Sequence, residues 1–296
     1  MKILITGATG FVGSSVFSTL SKNYQLMYIS SKNNPTFEIG NYLFSNDVEF
    51  NRKIKDFNPE IVIHFASFST PERHEDAIDN LVSSNITFGI KLLNALSSTS
   101  VKYFLSTGTF AEFNNDYTKI NNSYLYSTTK TAFRLFVDFY QKIIPFIHFN
   151  IIPFTVYGKK SKSKKAIDII IDSILTGVGA DMSSGKQELD FIHIDDVTDF
   201  YLNLVNKIQE ISPLENSNIF LGTGNTSNLR FIASELAKLL KKDDNINWGK
   251  KTYREFDTMI ARAPLNLNPS WLDWKPRIDI KAGIKMYLEN YYGIKN

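Results

Sequence analysis

The stretch Lys2-Ile3-Leu4-Ile5-Thr6-Gly7-Ala8-Thr9-Gly10-Phe11-Val12-Gly13 decides how this chain is read. A short apolar run ends at a glycine, and further glycines follow at a spacing of three. A helical period starts at once, with Val12, Val16, Phe17 and Leu20 on one face. Glycine first permits a tight turn, second a close approach of backbone to a pyrophosphate, and third close packing of helix on strand. The free amides at the helix start then hold the phosphates. A strand directly before and a helix directly after are the context that such a turn requires. The stretch predicts a dinucleotide site built by Gly7, Thr9, Gly10, Phe11 and Val12.

Working outward, residues 25–29, 60–64, 103–105 and 146–152 read as further strands, and 72–98 and 124–142 as helices. The strands are continuous apolar runs, as strands buried on both faces should be. Strands alternating with helices predict an α/β fold, a doubly wound parallel sheet. The alternation loosens after about residue 155. A strand at 190–194, a helix at 227–240 opening on a serine, and a last helix at 279–290 suggest a smaller C-terminal domain. The expected division is a dinucleotide-binding domain over 1–158 with a return segment near 186–216. Residues 159–185 and 217–296 would form the substrate-binding part. The basic run 159–165 reads first as a solvated loop and second as a loop near a phosphate.

Composition excludes several classes. The chain has 296 residues, no cysteine, and 33 Lys+Arg against 30 Asp+Glu. Without cysteine there are no disulfides, thiolate nucleophiles or cysteine metal sites. A net charge of +3 is too balanced for nucleic acid as the main partner. No apolar run approaches the roughly 20 residues that span a bilayer, and the N-terminal run is too short for a signal peptide. We expect a soluble cytoplasmic protein with no membrane contact. The histidines, His64, His74, His148 and His193, lack metal-ligand spacing, so no metal is expected. Asp195-Asp196 reads as a helix-capping pair, and Trp271 and Trp274 as packing for the small domain.

The residues after the second strand choose between cofactors. An acid there would bind the ribose 2′-hydroxyl of NAD. This chain has Ser30-Ser31-Lys32 instead, and two hydroxyls and a cation suit a 2′-phosphate. NADP(H) is therefore expected over NAD. Further on, Tyr126 and Lys130 stand four residues apart and share a helical face. A nearby cation should lower the phenol's pKa and make it a usable acid or base. Tyr28/Lys32 and Tyr291/Lys295 share that spacing, but only Tyr126 follows a strand ending in hydroxyls, Leu105-Ser106-Thr107-Gly108-Thr109.

With these pieces the chain resembles the extended short-chain dehydrogenases/reductases, the nucleotide-sugar epimerase/dehydratase/reductase group. The matching elements are the Gly7/Gly10/Gly13 turn, Ile61–His64 with Phe65-Ala66, Asn85, Ser106-Thr107 and Tyr126 with Lys130. Pro153-Phe154-Thr155-Val156-Tyr157-Gly158, Asp190-Phe191-Ile192-His193, Tyr253-Arg254 and Trp274-Lys275-Pro276 extend the match along the whole chain. The resemblance implies a Rossmann-type doubly wound sheet with a smaller C-terminal substrate-binding domain. It also implies catalytic roles: Tyr126 exchanges a proton with a sugar oxygen, Lys130 holds the nicotinamide ribose, and Thr107 bonds the reacting oxygen with Thr109 as alternate. Ala66, Ser67, Asn41 and Pro153 would line the cofactor. Thr109, Thr155 and Arg254 would meet the substrate, with Arg254 on its pyrophosphate. A homodimer through two helices, one of them bearing Tyr126, is the usual family state.

Departures narrow the activity. Gly108 and Thr109 replace the Asp-Glu pair that dehydratases of the group carry, and no cysteine acid is present for epimerising reductases. Thr155 and Leu189 replace an asparagine and an arginine common near the substrate. Simple NADPH-dependent reduction of a nucleotide-linked 4-keto-6-deoxy sugar is the expected function. A 4-epimerase with tightly bound NAD is the first rival, and a non-catalytic nucleotide-sensing protein the second, since fold alone does not fix function.

Overall fold

The computed structural model describes residues 1–29, 47–114, 116–161, 164–210 and 216–294. Ser30, Ser31, Lys32 and Asn41 lie outside the described residues. The elements run β1 (Lys2–Thr6), α1 (Phe11–Leu20), β2 (Gln25–Ile29), α2 (Asp47–Phe57), β3 (Ile61–His64), α3 (Glu75–Val82), α4 (Phe88–Leu96), β4 (Tyr103–Thr107), α5 (Leu125–Tyr140), β5 (Ile147–Pro153) and β6 (Thr155–Tyr157). They continue as α6 (Ala166–Thr176), β7 (Ala180–Met182), β8 (Glu188–His193), α7 (Ile194–Lys207), β9 (Ser217–Leu221), β10 (Thr226–Ser227), α8 (Leu229–Leu240), β11 (Ile246–Trp248), β12 (Ile260–Ala261) and α9 (Ile280–Tyr292).

Six strands form one parallel sheet in the order β2-β1-β3-β4-β5-β9. Alternation along each strand sends side chains to opposite faces. Ile3 and Ile5 join Val16, Leu20, Phe200 and Leu204 of α1 and α7, whereas Leu4 joins Ile54, Leu92 and Val137 of α2, α4 and α5. Both faces are thus covered, which is why these strands read as unbroken apolar runs. The chain order reverses around β1, so the carboxyl ends of β1 and β3 open the crevice where such sheets bind ligands.

β9 pairs with β5 at the edge of the main sheet, so residues 217–221, expected with the smaller part of the chain, join the larger sheet. The return strand β8 stays outside that sheet. It pairs with β6, β10 and β12 instead. Trp271 and Trp274 also pack on the main core, against Phe149 and Phe200, and Trp274 Nε1 donates to Asp199 at 2.8 Å. The smaller core gathers α6, α8 and α9 around Ile170, Ile232 and Tyr287.

Local expectations shift in three places. The helix predicted over 72–98 is interrupted by a π turn at Ser83–Thr87. The helix expected from Ser227 starts at Leu229, where Asn228 is the cap and accepts from Phe231 N–H at 2.9 Å. Asp196 does not cap its own helix. His193 does that, and the Asp196 carboxylate accepts from the Arg277 and Ile278 amides at 3.1 and 3.0 Å. No helix among the described residues is long and apolar enough to cross a membrane.

Candidate active site

The glycine turn is built as its spacing demands. Gly7 has φ +68°, a left-handed conformation that favours glycine. Its carbonyl accepts from Gly10 N–H at 2.9 Å, and Gly13 packs directly on that carbonyl. Among the described residues no side chain caps α1, and its first turn carries no acid. The leading amides of α1, at Phe11, Val12 and Gly13, have no intrahelical partners and are suited to an anion. Thr9 is half-buried in this turn, and Ala66 lies directly against Gly7. A dinucleotide pyrophosphate fits this bare cradle.

In the basic run Lys160 and Lys164 are exposed, whereas Lys159 and Lys165 lean on the body of the protein. Lys159 Nζ donates to Ser14 and Ser15 hydroxyls at 2.7 and 3.1 Å. Lys165 Nζ donates to the Val156 carbonyl at 2.8 Å and sits 3.5 Å from the Phe11 ring centroid. Both ammonium groups therefore lie against the first turns of α1. Burial pulls the Lys165 pKa down to about 8.

Tyr126 and Lys130 share one face of α5. Lys130 is buried, which lowers its pKa to about 8, with the nearby Glu112 opposing that fall. The Tyr126 phenol is pushed up to about 12, first by burial and then by Glu112. This corrects the expectation of a lowered phenol pKa: desolvation and the Glu112 charge outweigh the Ser67 and Ser69 hydroxyls that pull it down. Both hydroxyls stand beside the phenol. Ser69 had no sequence signal, because it lies in a loop with no motif of its own.

That serine loop is held by Asn85. The Phe68 amide donates to Asn85 Oδ1 at 2.8 Å, and Asn85 Nδ2 donates to the Phe68 carbonyl at 2.9 Å and to Thr129 Oγ1 at 2.9 Å. Asn85 sits in the π turn, a distortion often found at functional sites. The break in the helix thus turns one side chain inward to tie the loop to α5.

The remaining predicted residues are placed as follows. Thr107 donates its hydroxyl to the His64 carbonyl at 3.1 Å and stands beside the Tyr201 hydroxyl. Thr109 accepts from Ala111 N–H at 3.4 Å. Pro153 and Thr155 are half-buried at the end of β5 and the start of β6. Arg254 is exposed, 5.9 Å from the Tyr124 ring, in a cleft of about 530 Å³ that also includes Pro71, Leu125 and Thr128. Tyr124 donates its hydroxyl to Asp257 beside it. The arrangement therefore brings Arg254 to the start of α5, just ahead of Tyr126. Among the described residues no cluster of three or more acids or histidines could hold a metal.

A glycine turn on the first strand of a doubly wound sheet, with Tyr126 and Lys130 on the helix after β4, defines the short-chain dehydrogenase/reductase class. The chain belongs to the NAD dependent epimerase/dehydratase family, whose model matches residues 3–219, and is one of its extended members. A CDP-abequose synthase of Salmonella muenchen is 26% identical over 97% of both chains. A GDP-L-colitose synthase of Yersinia pseudotuberculosis is 24% identical over 100% of this chain and 99% of its own. Among solved structures, MoeE5 in complex with UDP-glucose and NAD superposes with a TM-score of 0.83 at 19% identity, covering 98% of each chain.

Proposed function

We propose that this protein is an NADPH-dependent reductase of a nucleotide-linked 4-keto-6-deoxy sugar, carried on dTDP, CDP or GDP. The observation that carries this reading is the Tyr126 phenol. With its pKa pushed up to about 12 it stays protonated through the working range, ready to give a proton to a substrate oxygen. The CDP-abequose and GDP-L-colitose synthase relatives support a nucleotide-linked deoxysugar. Elimination of water lacks its acid pair. A Cβ at Gly108 would come 2.9 Å from Asn150 Oδ1 and 3.0 Å from Glu112 Oε1, so this packing leaves little room for an acid there.

A bound nicotinamide dinucleotide supplies hydride. The chain's own residues do the rest. The α1 amides and the glycine turn hold the pyrophosphate, and Lys130 holds the nicotinamide ribose. Ala66, Ser67 and Pro153 line the cofactor, and Thr155 and Arg254 position the sugar nucleotide. Tyr126 protonates the reacting oxygen. Thr107 would polarise that oxygen after turning its hydroxyl from the His64 carbonyl, with Thr109 as the alternative. NADPH oxidation measured against a panel of nucleotide-linked 4-keto sugars tests the function, and consumption with none of them overturns it.

NADPH should bind at least about tenfold more tightly than NADH, because Ser30, Ser31 and Lys32 would accept a 2′-phosphate. Equal or tighter NADH binding by fluorescence titration contradicts that preference. A second reading, a 4-epimerase, has support from the solved relatives that hold NAD, including a UDP-glucose 4-epimerase of Thermus thermophilus. Stoichiometric NAD released on denaturing the purified protein would favour it.

The reading includes a cytoplasmic homodimer. On α5 Leu135 and Phe139 are 68% and 53% exposed, and Ile143 just beyond is 55% exposed. Such a contiguous apolar face marks an interaction site. Light scattering should give twice the 33.8 kDa chain mass, and Leu135→Asp/Phe139→Asp should give the monomer. A monomeric wild type contradicts the dimer.

A further inference from the structure

The reaction outlined above gives no role to Glu112, although it is the carboxylate beside both Tyr126 and Lys130. It closes a single 3-10 turn, Phe110–Glu112, just after β4, and it is wholly buried. Three donors converge on it. Thr109 N–H donates to Oε1 at 2.9 Å, and Thr131 Oγ1 and Arg134 Nη2 donate to Oε2 at 2.9 and 2.8 Å. Oε1 also lies against Gly108. The carboxylate therefore fills the space between the turn that follows Thr107 and the helix that carries the catalytic pair. Tyr126, Lys130 and Arg134 fall at i, i+4 and i+8 of that helix, along one stripe.

Stability alone is a weak reason for this ion pair. Replacing a buried ion pair by apolar groups of similar volume is often neutral or stabilising. Its position is more informative, because it joins the two segments whose relative placement sets the site. We propose that Glu112, clamped by Arg134, is a positioning residue that fixes the Gly108–Thr109 turn against α5 and holds the Tyr126–Lys130 pair in its proton-donating state.

The proposal rests on the reductase reading for the direction of proton transfer, but not for the geometry. Three titratable groups face Lys130: Glu112 from the turn after β4, Tyr126 from its own helix, and His64 from β3. Burial, and Lys130 itself, hold His64 neutral with a pKa of about 3. Burial drives Lys130 towards its neutral amine, and the Glu112 charge opposes that. The same charge raises the phenol and keeps its proton on. Without Glu112, Lys130 loses its proton at a lower pH, so functions that need the ammonium are lost earlier on the alkaline side.

Glu112→Gln leaves Arg134 without its counter-charge, so the double variant Glu112→Gln/Arg134→Met is made beside it. NADPH affinity is measured by fluorescence from pH 6 to 10, which needs no sugar substrate. The alkaline loss of affinity should move about one pH unit lower in Glu112→Gln, the shift expected for removing one nearby charge, and lower by a smaller step in the double variant, where the Arg134 cation leaves with the carboxylate. With a keto-sugar substrate kcat should fall at least about tenfold, while the sugar KM stays within about threefold. A folded variant whose alkaline limb coincides with that of wild type overturns the proposal. A wild type that binds NADPH but reduces no keto sugar defeats the reductase reading, while the position of the limb still decides the role of Glu112.

Discussion

Tyr126→Phe is expected to lower kcat by about 10²- to 10⁴-fold, while the NADPH dissociation constant stays within about threefold of wild type. The change removes one hydroxyl and keeps the ring, so packing is nearly preserved. What is lost is the group proposed to give the proton. The hydroxyls beside the phenol are those of Ser67 and Ser69, both exposed, and neither is an acid at neutral pH. Water reaching the site would replace the phenol poorly, because the donor must be in place as charge develops on the substrate oxygen. Cofactor binding should survive, since the glycine turn and Lys130 are untouched. Steady-state assay with NADPH titration separates the two effects. A variant that turns over at near wild-type rate removes Tyr126 from the chemistry.

The parts of this structure that were legible in the sequence are those with a local cause. The β1–α1 turn was readable because its glycines, its strand and its helix are contiguous and each restricts the backbone. The Tyr126–Lys130 pair was readable because four residues bring side chains together on a helix. The π turn was not. The apolar spacing steps by five from Leu81 to Ile86 across it, then by four and three to Ile90 and Leu93, and one wide step in the pattern does not tell a π turn from an ordinary gap. Glu112 carried no local signal either, since its partners Thr131 and Arg134 lie on another element. β9 was missed as a main-sheet strand because its apolar stretch, Ile219-Phe220-Leu221, is short and its pairing with β5 crosses the intervening small domain. The lysines at 159 and 165 read as loop charge, and only the return of the chain onto α1 places them against Phe11 and Ser14.

Gly7→Ala is expected to be a strongly damaging small substitution in the turn between β1 and α1. Two costs coincide there. Residue 7 has φ +68°, and an L side chain in the left-handed region costs about 1–2 kcal/mol. The added Cβ would stand 2.6 Å from Ala66 N, 2.8 Å from Phe65 C and 2.9 Å from Ala66 Cα, all backbone atoms that cannot rotate away. Those atoms are pinned in turn, because Phe65 N–H donates to the Thr6 carbonyl at 3.2 Å and Ala66 N–H donates to Thr6 Oγ1 at 3.2 Å. Overpacking of this kind adds about 1–3 kcal/mol, for a combined loss of about 2–5 kcal/mol. At about 2 °C per kcal/mol for a chain of this size, Tm should fall by about 4–10 °C. Binding should suffer further, since the Gly7 carbonyl holds Gly10 N–H and touches Gly13, so any shift of residue 7 moves the α1 amides that would meet the pyrophosphate. NADPH affinity should drop more than about tenfold, because the phosphate-binding amides act only when closely aimed. Gly177→Ala supplies the control. Gly177 has nearly the same φ, +73°, but a Cβ there meets nothing within 4 Å among the described residues, so it carries the conformational cost without the collision. Calorimetry and NADPH titration on the two variants separate the effects. Equal Tm and equal NADPH affinity in Gly7→Ala and Gly177→Ala would mean that the contact between the turn and β3 does not shape the cofactor site.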